Sequence, residues 1–266
     1  MNNNKNVRLD TMLVQKGLVG TKNKAQAIIL TGGVMVNGRC VDKPGAKIRF
    51  DAEIEIKAKP HPFVSRGGQK LAHALDHFHI DPHGLVCMDV GASTGGFTDC
   101  LLQRGALKVY AIDVGYGQLD WRLRNDERVM VLERTNIRKL EPGTLDPVPT
   151  LAVVDTSFIS LKIVIPAVLR HLSQDSKIIA LIKPQFEVGR HNVGKGGIVK
   201  DQALHENVLK ELSDFFVEKQ SLTIEGIVES PILGAKGNKE FLIALTREKG
   251  LCDSPKNPIV VSKKQE

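Results

Sequence analysis

The sequence contains few cysteines and no long apolar run, and these two absences exclude several classes of protein. Its 266 residues include four cysteines, Cys40, Cys87, Cys100 and Cys252, with no Cys-x-x-Cys pair. Because zinc ribbons and disulfide frameworks need closely spaced cysteines, we predict neither, and none of the eight histidines shows metal-ligand spacing. No run approaches the ~18 apolar residues of a membrane span, and Met1–Asn6 lacks the apolar stretch of a signal peptide. We therefore expect a cytoplasmic protein with no metal and no membrane segment.

Basic residues outnumber acidic ones. Lysine and arginine number 37 against 30 aspartates and glutamates, which gives a net charge of +7 and an isoelectric point near 9.2. This charge balance favours a polyanionic partner. With 42% hydrophobic residues the chain can build a core, and its length suits one large domain or one medium and one small domain.

A glycine-rich loop is the most informative feature of the chain. Residues Asp89–Phe97 follow an apolar run, Gly84–Met88, typical of a buried strand, and open an amphipathic helix, Phe97–Gln103. Glycines between a strand and a helix let the backbone approach a ligand closely. A second apolar strand, Val109–Ile112, ends in Asp113, and an acid about 20 residues past a glycine loop is the usual partner of ribose hydroxyls. The sequence therefore predicts a nucleotide-like cofactor.

The loop differs from the dinucleotide pattern Gly-x-Gly-x-x-Gly, because Ser93 stands where the second glycine would approach a pyrophosphate. This difference argues against NAD and favours S-adenosylmethionine, which carries no phosphate. We expect Asp113 to bind its adenosine and the loop to bind its methionine end. The residues assigned to the cofactor are Asp89, Gly91, Ala92, Ser93, Thr94, Gly95, Gly96, Phe97 and Asp113. The alternative is a tight strand-to-helix turn without a ligand.

Residues 7–58 differ in pattern from the rest and form a small module. Helical spacing predicts a first helix over Arg8–Val14 and a second over Lys22–Leu30. An Asn-Gly turn of type I′ closes a hairpin over Val34–Val41. Alternation of apolar and polar residues predicts one further strand over Ile48–Lys57.

This module resembles the S4-like RNA-binding domain through Thr21–Ala25 followed by Gly33–Gly38. The resemblance implies that the second helix and the hairpin present cations to RNA, whose phosphates bind lysine and arginine. The candidate RNA contacts are Arg8, Lys16, Lys22, Lys24 and Arg39. The alternative is a solvated basic face.

A proline-containing linker, residues 59–66, separates this module from a second domain over 67–249. Strands are expected at 85–90, 108–112, 128–132, 151–155, 177–182, 223–229 and 240–246. Helices are expected near 66–78, 97–104, 117–124, 160–171 and 201–219. This alternation predicts an α/β, Rossmann-like fold with a mostly parallel seven-stranded sheet whose last strand is antiparallel. The polar segment 250–266 is expected to be a disordered tail.

Four segments of the second domain carry residues able to do chemistry: Ser65–Leu71, Val153–Phe158, Ala180–Phe186 and Gly237–Phe241. Asp155 and Lys183 each end an apolar strand. Ligands of an open α/β sheet bind beyond the carboxyl ends of its strands, so both side chains should face the crevice of the cofactor loop.

This set resembles the FtsJ-type ribose 2′-O-methyltransferases, whose Lys-Asp-Lys-Glu tetrad is filled here by Lys70, Asp155, Lys183 and Glu240. The S4-like module and the phrases Ser-Arg-Gly-Gly-x-Lys-Leu and Lys-Pro-Gln-Phe-Glu are similar to the TlyA (hemolysin A) family over residues 7–247. The resemblance implies S-adenosylmethionine-dependent methylation of ribosomal RNA, 16S, 23S or both, at cytidine riboses. Ribosomal RNA or a ribosomal subunit is then the expected partner.

Three further residues receive candidate roles. Related methyltransferases often carry an acid near the adenine where this chain has Asn136, whose amide could bond the adenine edge. Arg66 is a further candidate RNA contact. Phe158 is either a stacking platform for the target base or a core residue. The glycine-rich stretch 187–197 is either a mobile lid or a plain surface loop.

The tetrad suggests how the ribose hydroxyl is activated. A lysine acts as a base only when its pKa falls toward neutrality. We expect Lys183 to take or orient the 2′-proton, Asp155 and Glu240 to hold it, and Lys70 to favour its neutral form and contact the RNA. Taken singly, each residue could form a surface salt bridge, but together they indicate catalysis. The alternatives for the whole chain are a non-catalytic ribosome-assembly factor and a membrane-lytic protein.

Overall fold

The computed structural model describes residues 6–30, 33–56, 62–194 and 196–248. The chain divides into two compact units, Met1–His61 and Pro62–Glu266. Residues 59–61 of the expected linker, residue 249 and the expected tail over 250–266 lie outside the described residues. Among the described helices, none has the length and apolar character needed to cross a membrane.

The described part of the first unit contains two helices and five short strands. These are β1 (Asn6–Arg8), α1 (Leu9–Gln15), α2 (Lys22–Leu30), β2 (Val34–Val36), β3 (Arg39–Cys40), β4 (Lys47–Arg49) and β5 (Ile54–Ile56). β1 pairs with β4, and the other three strands form a sheet in the order β3-β2-β5. The helices pack on the sheets through the buried side chains of Leu9, Leu13 and Val34. Asn37 and Gly38 both have positive φ, 46° and 75°, which confirms the type I′ hairpin turn.

The single strand expected over Ile48–Lys57 is wrong. The chain instead forms β4 and β5, which belong to different sheets. The N–H of Ala52 donates to the carbonyl of Arg49 at 3.0 Å, and the Arg49 guanidinium lies 2.6 Å from Asp51. The apolar-polar alternation continues through this turn, so the pattern alone does not reveal it.

The second unit is an α/β domain. Its elements are α3 (Gly67–His77), β6 (Val86–Val90), α4 (Gly96–Gln103), β7 (Lys108–Ile112), α5 (Trp121–Arg124), β8 (Val129–Leu132), β9 (Leu151–Val154), α6 (Leu161–Leu169), β10 (Ser176–Ile182), α7 (Pro184–Glu187), α8 (Gln202–Gln220), β11 (Thr223–Glu229) and β12 (Phe241–Arg247). Short 3-10 turns cover Ile137–Lys139, Arg190–Asn192 and Ala235–Gly237. The helix expected over 117–124 is shorter than predicted, since it begins only after the cap Asp120, which accepts from the N–H of Arg122.

The seven strands form one sheet in the order β11-β12-β10-β9-β6-β7-β8. β12 is antiparallel to both of its neighbours, which confirms the prediction for the last strand. The other described pairings are parallel, and strands such as β9 are buried along their whole length, as parallel strands covered on both faces are. Strand order reverses between β6 and β9, and such a switch point opens a crevice at the carboxyl ends of the strands.

Candidate active site

The glycine loop lies at this switch point, directly after β6. Gly91 has φ +88°, and a Cβ there would lie 2.5 Å from the carbonyl oxygen of Asp155. No residue other than glycine fits so close to the end of β9. A Cβ on Gly96 would overlap Ser65 Oγ, so the start of α3 packs on the start of α4. The sequence therefore places the loop between the segments that carry Lys70 and Asp155.

Asp113 joins the ends of β6 and β7. Its Oδ2 accepts from the N–H of Ser93 at 2.8 Å, and its Oδ1 accepts from the N–H of Gly115 at 2.7 Å. Each carboxylate oxygen has a second lone pair, so Asp113 keeps acceptor capacity for ribose hydroxyls. Asn136 caps the following 3-10 turn, because its side-chain oxygen accepts from the N–H of Arg138 at 3.1 Å. Its amide nitrogen, rather than its oxygen, is the group left for an adenine edge.

Unpartnered buried acceptors cluster at the same edge of the sheet. Buried polar side-chain atoms are normally hydrogen-bonded. Three of those in the described ranges that lack a partner belong to residues at the carboxyl ends of β6, β9 and β10: Asp89 Oδ1, Thr156 Oγ1 and Gln185 Oε1. Beside them, Asp155 Oδ1 has no hydrogen bond and faces only the Lys183 ammonium. A ligand with an ammonium and hydroxyl donors would satisfy such atoms. The residues present therefore fit S-adenosylmethionine.

The carboxyl of Asp89 is fully buried, and this burial shifts its pKa. Burial raises the pKa of its carboxyl from 3.8 to about 7. The hydrogen bond from Thr98 Oγ1, at 2.6 Å, opposes the shift, while the charges of Asp155 and Asp113 add to it. Three acids thus approach one another at the cofactor loop, and a bound cation would relieve their repulsion.

The four tetrad residues form two ion pairs. Lys183 Nζ lies 2.6 Å from Asp155 Oδ1, and Lys70 Nζ lies 2.5 Å from Glu240 Oε2. Ile182 pairs with Phe241 across β10 and β12, so the next positions, Lys183 and Glu240, are neighbours in register. The two pairs therefore lie side by side. Glu240 contacts Lys70, whereas from the sequence we expected it to hold Lys183.

Three further residues shape this arrangement, and the sequence assigned a role to none of them. Ser157 accepts a hydrogen bond from Lys183 Nζ at 2.9 Å. A Cβ on Gly234 would overlap the Glu240 carboxylate, so only glycine leaves room for it. Asn238 is 2% exposed, donates to the carbonyls of Ala235 and Gly197 and accepts from Val199 N–H. Each stands within three residues of Asp155 or six of Glu240, and that proximity is the only signal in the sequence.

Phe158 lies on the surface beside Lys183. Its side chain is 89% exposed, so the alternative that it is a core residue is wrong. Its ring centroid lies 4.8 Å from that of Phe186, at an interplanar angle of 47°. The Lys183 ammonium lies 6.0 Å from the centroid of Phe186. The exposed ring of Phe158, supported by the half-buried ring of Phe186, can receive a nucleobase.

The basic residues of the first unit fall into two groups. Arg8 is bound to the buried carboxylate of Asp10 at 2.7 Å, and this pairing lowers the pKa of Asp10. Lys16 donates to the carbonyl of Ala52 at 3.1 Å. Of the predicted RNA contacts in this unit, Lys22, Lys24 and Arg39 have exposed side chains with no hydrogen-bond or ion-pair partner within the described ranges. Arg66, at the start of α3 in the second unit, is also exposed.

The loop after α7 is anchored at its far end. The N–H of Val199 donates to Asn238 Oδ1, and its carbonyl lies 3.0 Å from His205 Nε2. Residue 195 lies outside the described residues. Closure of the stretch 187–197 as a lid stays a prediction.

Comparison with known protein families agrees with this fold and site. The model of the FtsJ-like methyltransferase family matches residues 63–247, and that of the S4 domain matches residues 7–54. The chain therefore belongs to the FtsJ-like methyltransferases, with an S4 domain at its amino-terminal side. Within that class it is a member of the TlyA (hemolysin A) family, as its curated relatives show.

Three similar proteins illustrate the relationship. YqxC of Bacillus subtilis (strain 168) is 47% identical over 91% of this chain and 86% of its own length. The 16S/23S rRNA (cytidine-2′-O)-methyltransferase TlyA of Mycobacterium tuberculosis is 43% identical over 90% of this chain and 89% of its own. A solved structure of a Streptococcus thermophilus protein covers 95% of this chain and 91% of its own length, with a TM-score of 0.74 and 41% identity.

Proposed function

We propose that this protein transfers the methyl group of S-adenosylmethionine to the ribose 2′-oxygen of a cytidine in ribosomal RNA. The observation that carries the proposal is the Lys183–Asp155 ion pair, at 2.6 Å, beside the glycine loop at the switch point of the sheet. The specificity of the Mycobacterium tuberculosis relative supports cytidine in 16S or 23S RNA as the substrate. Such a substrate places the protein in the cytoplasm.

The cofactor site is assigned to the loop residues Asp89, Gly91, Ala92, Ser93, Thr94, Gly95, Gly96 and Phe97, together with Asp113 and Asn136. When bound, S-adenosylmethionine supplies a methyl group on a positively charged sulfur, which an oxygen displaces in line. The buried Asp89 and the loop would hold the methionine end, and Asp113 the ribose. The alternative of a turn without a ligand does not account for the cluster of unpartnered acceptors.

The tetrad residues act on the RNA ribose. An ammonium has three donors, and Lys183 directs one to Ser157 and one to Asp155, which leaves one for the 2′-oxygen. Asp155 Oδ1, which has no aligned hydrogen bond, can accept the 2′-proton beside it. Lys183 then orients the oxygen, and Asp155 holds the proton that the oxygen loses. Lys70 and Glu240 form the neighbouring wall of the site.

RNA contacts come from both units. Lys22, Lys24 and Arg39 are the proposed contacts of the S4 domain, and they can bind phosphates without displacing a partner. In the methyltransferase domain Arg66 and the exposed ring of Phe158 are the proposed contacts. Stacking of the target base on Phe158 would bring its ribose to Lys183.

The test is methyl transfer to ribosomal subunits that lack this modification. Purified protein is incubated with methyl-labelled S-adenosylmethionine and separate small and large subunits, and the RNA is digested and its nucleosides identified by mass. The proposal predicts 2′-O-methylcytidine. Methylation of a base would contradict transfer to the ribose 2′-oxygen. RNA binding without transfer would establish the alternative of a non-catalytic assembly factor.

A further inference from the structure

Phe158 is held in a backbone conformation that its side chain disfavours. Its φ is +64°, in the left-handed region where a bulky residue is an outlier. Such strain persists only where the surroundings over-determine the backbone. Because the ring is 89% exposed, packing of the ring in the core does not hold it there. Contacts elsewhere in the segment must therefore fix Phe158.

The carboxylate of Glu187 anchors the end of this segment. Its Oε2 accepts from Ser160 Oγ at 2.6 Å, and its Oε1 accepts from the N–H of Leu161 at 2.9 Å. Ser160 Oγ in turn accepts from the N–H of Lys162 at 3.1 Å and so caps α6. These bonds hold the chain two residues after Phe158.

Glu187 also belongs to the segment of Lys183. Lys183 is the cap at the start of the short helix α7, and Glu187 is the last residue of that helix. The N–H of Phe186 donates to the carbonyl of Lys183 at 2.8 Å. The two strand-end segments are thus joined at three places. The joins are the Lys183–Asp155 ion pair, the Phe186–Phe158 ring pair and the Glu187 carboxylate.

The surroundings of Glu187 indicate an orienting role. Burial raises the pKa of its carboxyl, and the hydrogen bonds from Ser160 and Leu161 oppose this shift. A carboxylate removed from water costs free energy unless its partners are well placed. The nearby cation of Lys162 is paired with Glu211 at 3.0 Å. The hydrogen-bond partners of Glu187 are therefore the neutral groups that define the start of α6.

We propose that Glu187 is a positioning residue for methyl transfer, which fixes Phe158 so that a base stacked on it presents its ribose to Lys183. This inference rests on the proposed function. It gives three residues of the Lys-Pro-Gln-Phe-Glu phrase a place: the lysine at the ribose, the phenylalanine in the ring pair, and the glutamate as the clamp.

The test compares Glu187→Ala and Glu187→Gln with Glu211→Ala, which removes an exposed carboxylate nearby without touching the 155–161 segment. Calorimetry gives the affinity for S-adenosylmethionine, and steady-state transfer to ribosomal subunits gives kcat and KM. Glu187→Ala should lower kcat by roughly 10- to 100-fold with cofactor affinity unchanged. Glu187→Gln should lose less, because it keeps an acceptor for Leu161, and Glu211→Ala should match the wild type.

A double-mutant cycle separates positioning from general destabilisation. If Glu187 acts through Phe158, Glu187→Ala should cost less than about 3-fold in a Phe158→Ala background. The inference would be overturned if the double variant lost activity by the product of the two single losses. It would also be overturned if Glu187→Ala were fully active. Hydrogen exchange tests, independently of methyl transfer, whether Glu187 holds the start of α6. Faster exchange of the Leu161 amide in Glu187→Ala supports this role, and unchanged exchange refutes it. Absence of transfer by the wild type would instead refute the proposed function.

Discussion

Lys70 and Glu240, 170 positions apart in the chain, meet in a buried ion pair at 2.5 Å. The pair joins the first helix of the methyltransferase domain to its last strand. Removing one partner of a buried pair leaves an uncompensated charge and typically costs about 3–5 kcal/mol, whereas an apolar replacement of both is often neutral. The effect of this pair on stability can therefore be separated from its effect on methyl transfer.

Glu240→Ala should lower both the thermal midpoint and methyl transfer, because it leaves the Lys70 ammonium buried without its partner. The double variant Lys70→Met, Glu240→Leu should regain most of the unfolding free energy and yet transfer no methyl. Chemical denaturation and a transfer assay measure the two effects. A stable and fully active double variant would show that the pair has no part in the reaction.

Gly234→Ala should displace the Glu240 carboxylate, since the new Cβ would occupy its position. A misplacement of about 1 Å can cost roughly 10²-fold in rate, so we expect a decrease of that order in kcat. The matched control is Gly20→Ala, a glycine outside the left-handed region with open space around its Cβ position. Equal activity of the two variants would contradict the assignment of Gly234.

Because of Asp89, the free energy of unfolding of the apo protein should fall as the pH rises. Its folded pKa, about 7, lies above its ordinary value of 3.8, so the folded state holds a proton that the unfolded state has released. The stabilisation is therefore complete below the ordinary pKa and is lost as the pH rises through about 7. Asp89→Asn should flatten this slope in thermal midpoints of the apo protein.

Asp76 provides the control for this measurement. The Arg104 guanidinium lowers the pKa of its exposed carboxyl, so its contribution has the opposite sign and is lost as the pH falls. Asp76→Asn should leave the decline near neutral pH intact. The same decline in Asp89→Asn would show that another group causes it.

RNA affinity should depend on Lys22, Lys24 and Arg39, the predicted contacts of the S4 domain that are exposed and lack partners. Replacing Lys22, Lys24 and Arg39 by alanine should weaken binding and reduce the slope of log affinity against log salt by about 0.7–0.9 for each phosphate that is no longer neutralised. Lys210→Ala, in an exposed pair with Asp214 on α8, is the control for charge. Filter binding over a salt series measures both. An unchanged slope in the triple variant would exclude these cations from the interface.

The strands of the methyltransferase domain could be predicted because each is a short apolar run ending in a polar residue. Val153 and Val154 before Asp155, and Leu181 and Ile182 before Lys183, mark both strand and site. The break within Ile48–Lys57 could not be predicted, because the alternation of apolar residues continues through the turn at Asp51. There, a side-chain ion pair and one backbone bond decide the structure locally.

The members of the tetrad could be predicted, but their pairing could not. Which lysine Glu240 contacts depends on the register of Ile182 with Phe241 and on the packing of α3, and both are tertiary relationships. The exposure of Phe158 has the same origin, because an aromatic residue after a strand can lie in the core or on the surface. Gly234 belongs to no motif, and only the position of the Glu240 carboxylate reveals its role.

The measurement that tests the central claim most directly is the comparison of Lys183→Ala with the wild type for cofactor binding and methyl transfer. Calorimetry should find S-adenosylmethionine bound with nearly unchanged affinity, because Lys183 lies outside the assigned cofactor contacts. Transfer to the ribosomal RNA 2′-oxygen should fall by roughly 10²–10⁴-fold. Transfer at the wild-type rate by Lys183→Ala would contradict the proposed role of this lysine and with it the proposed reaction.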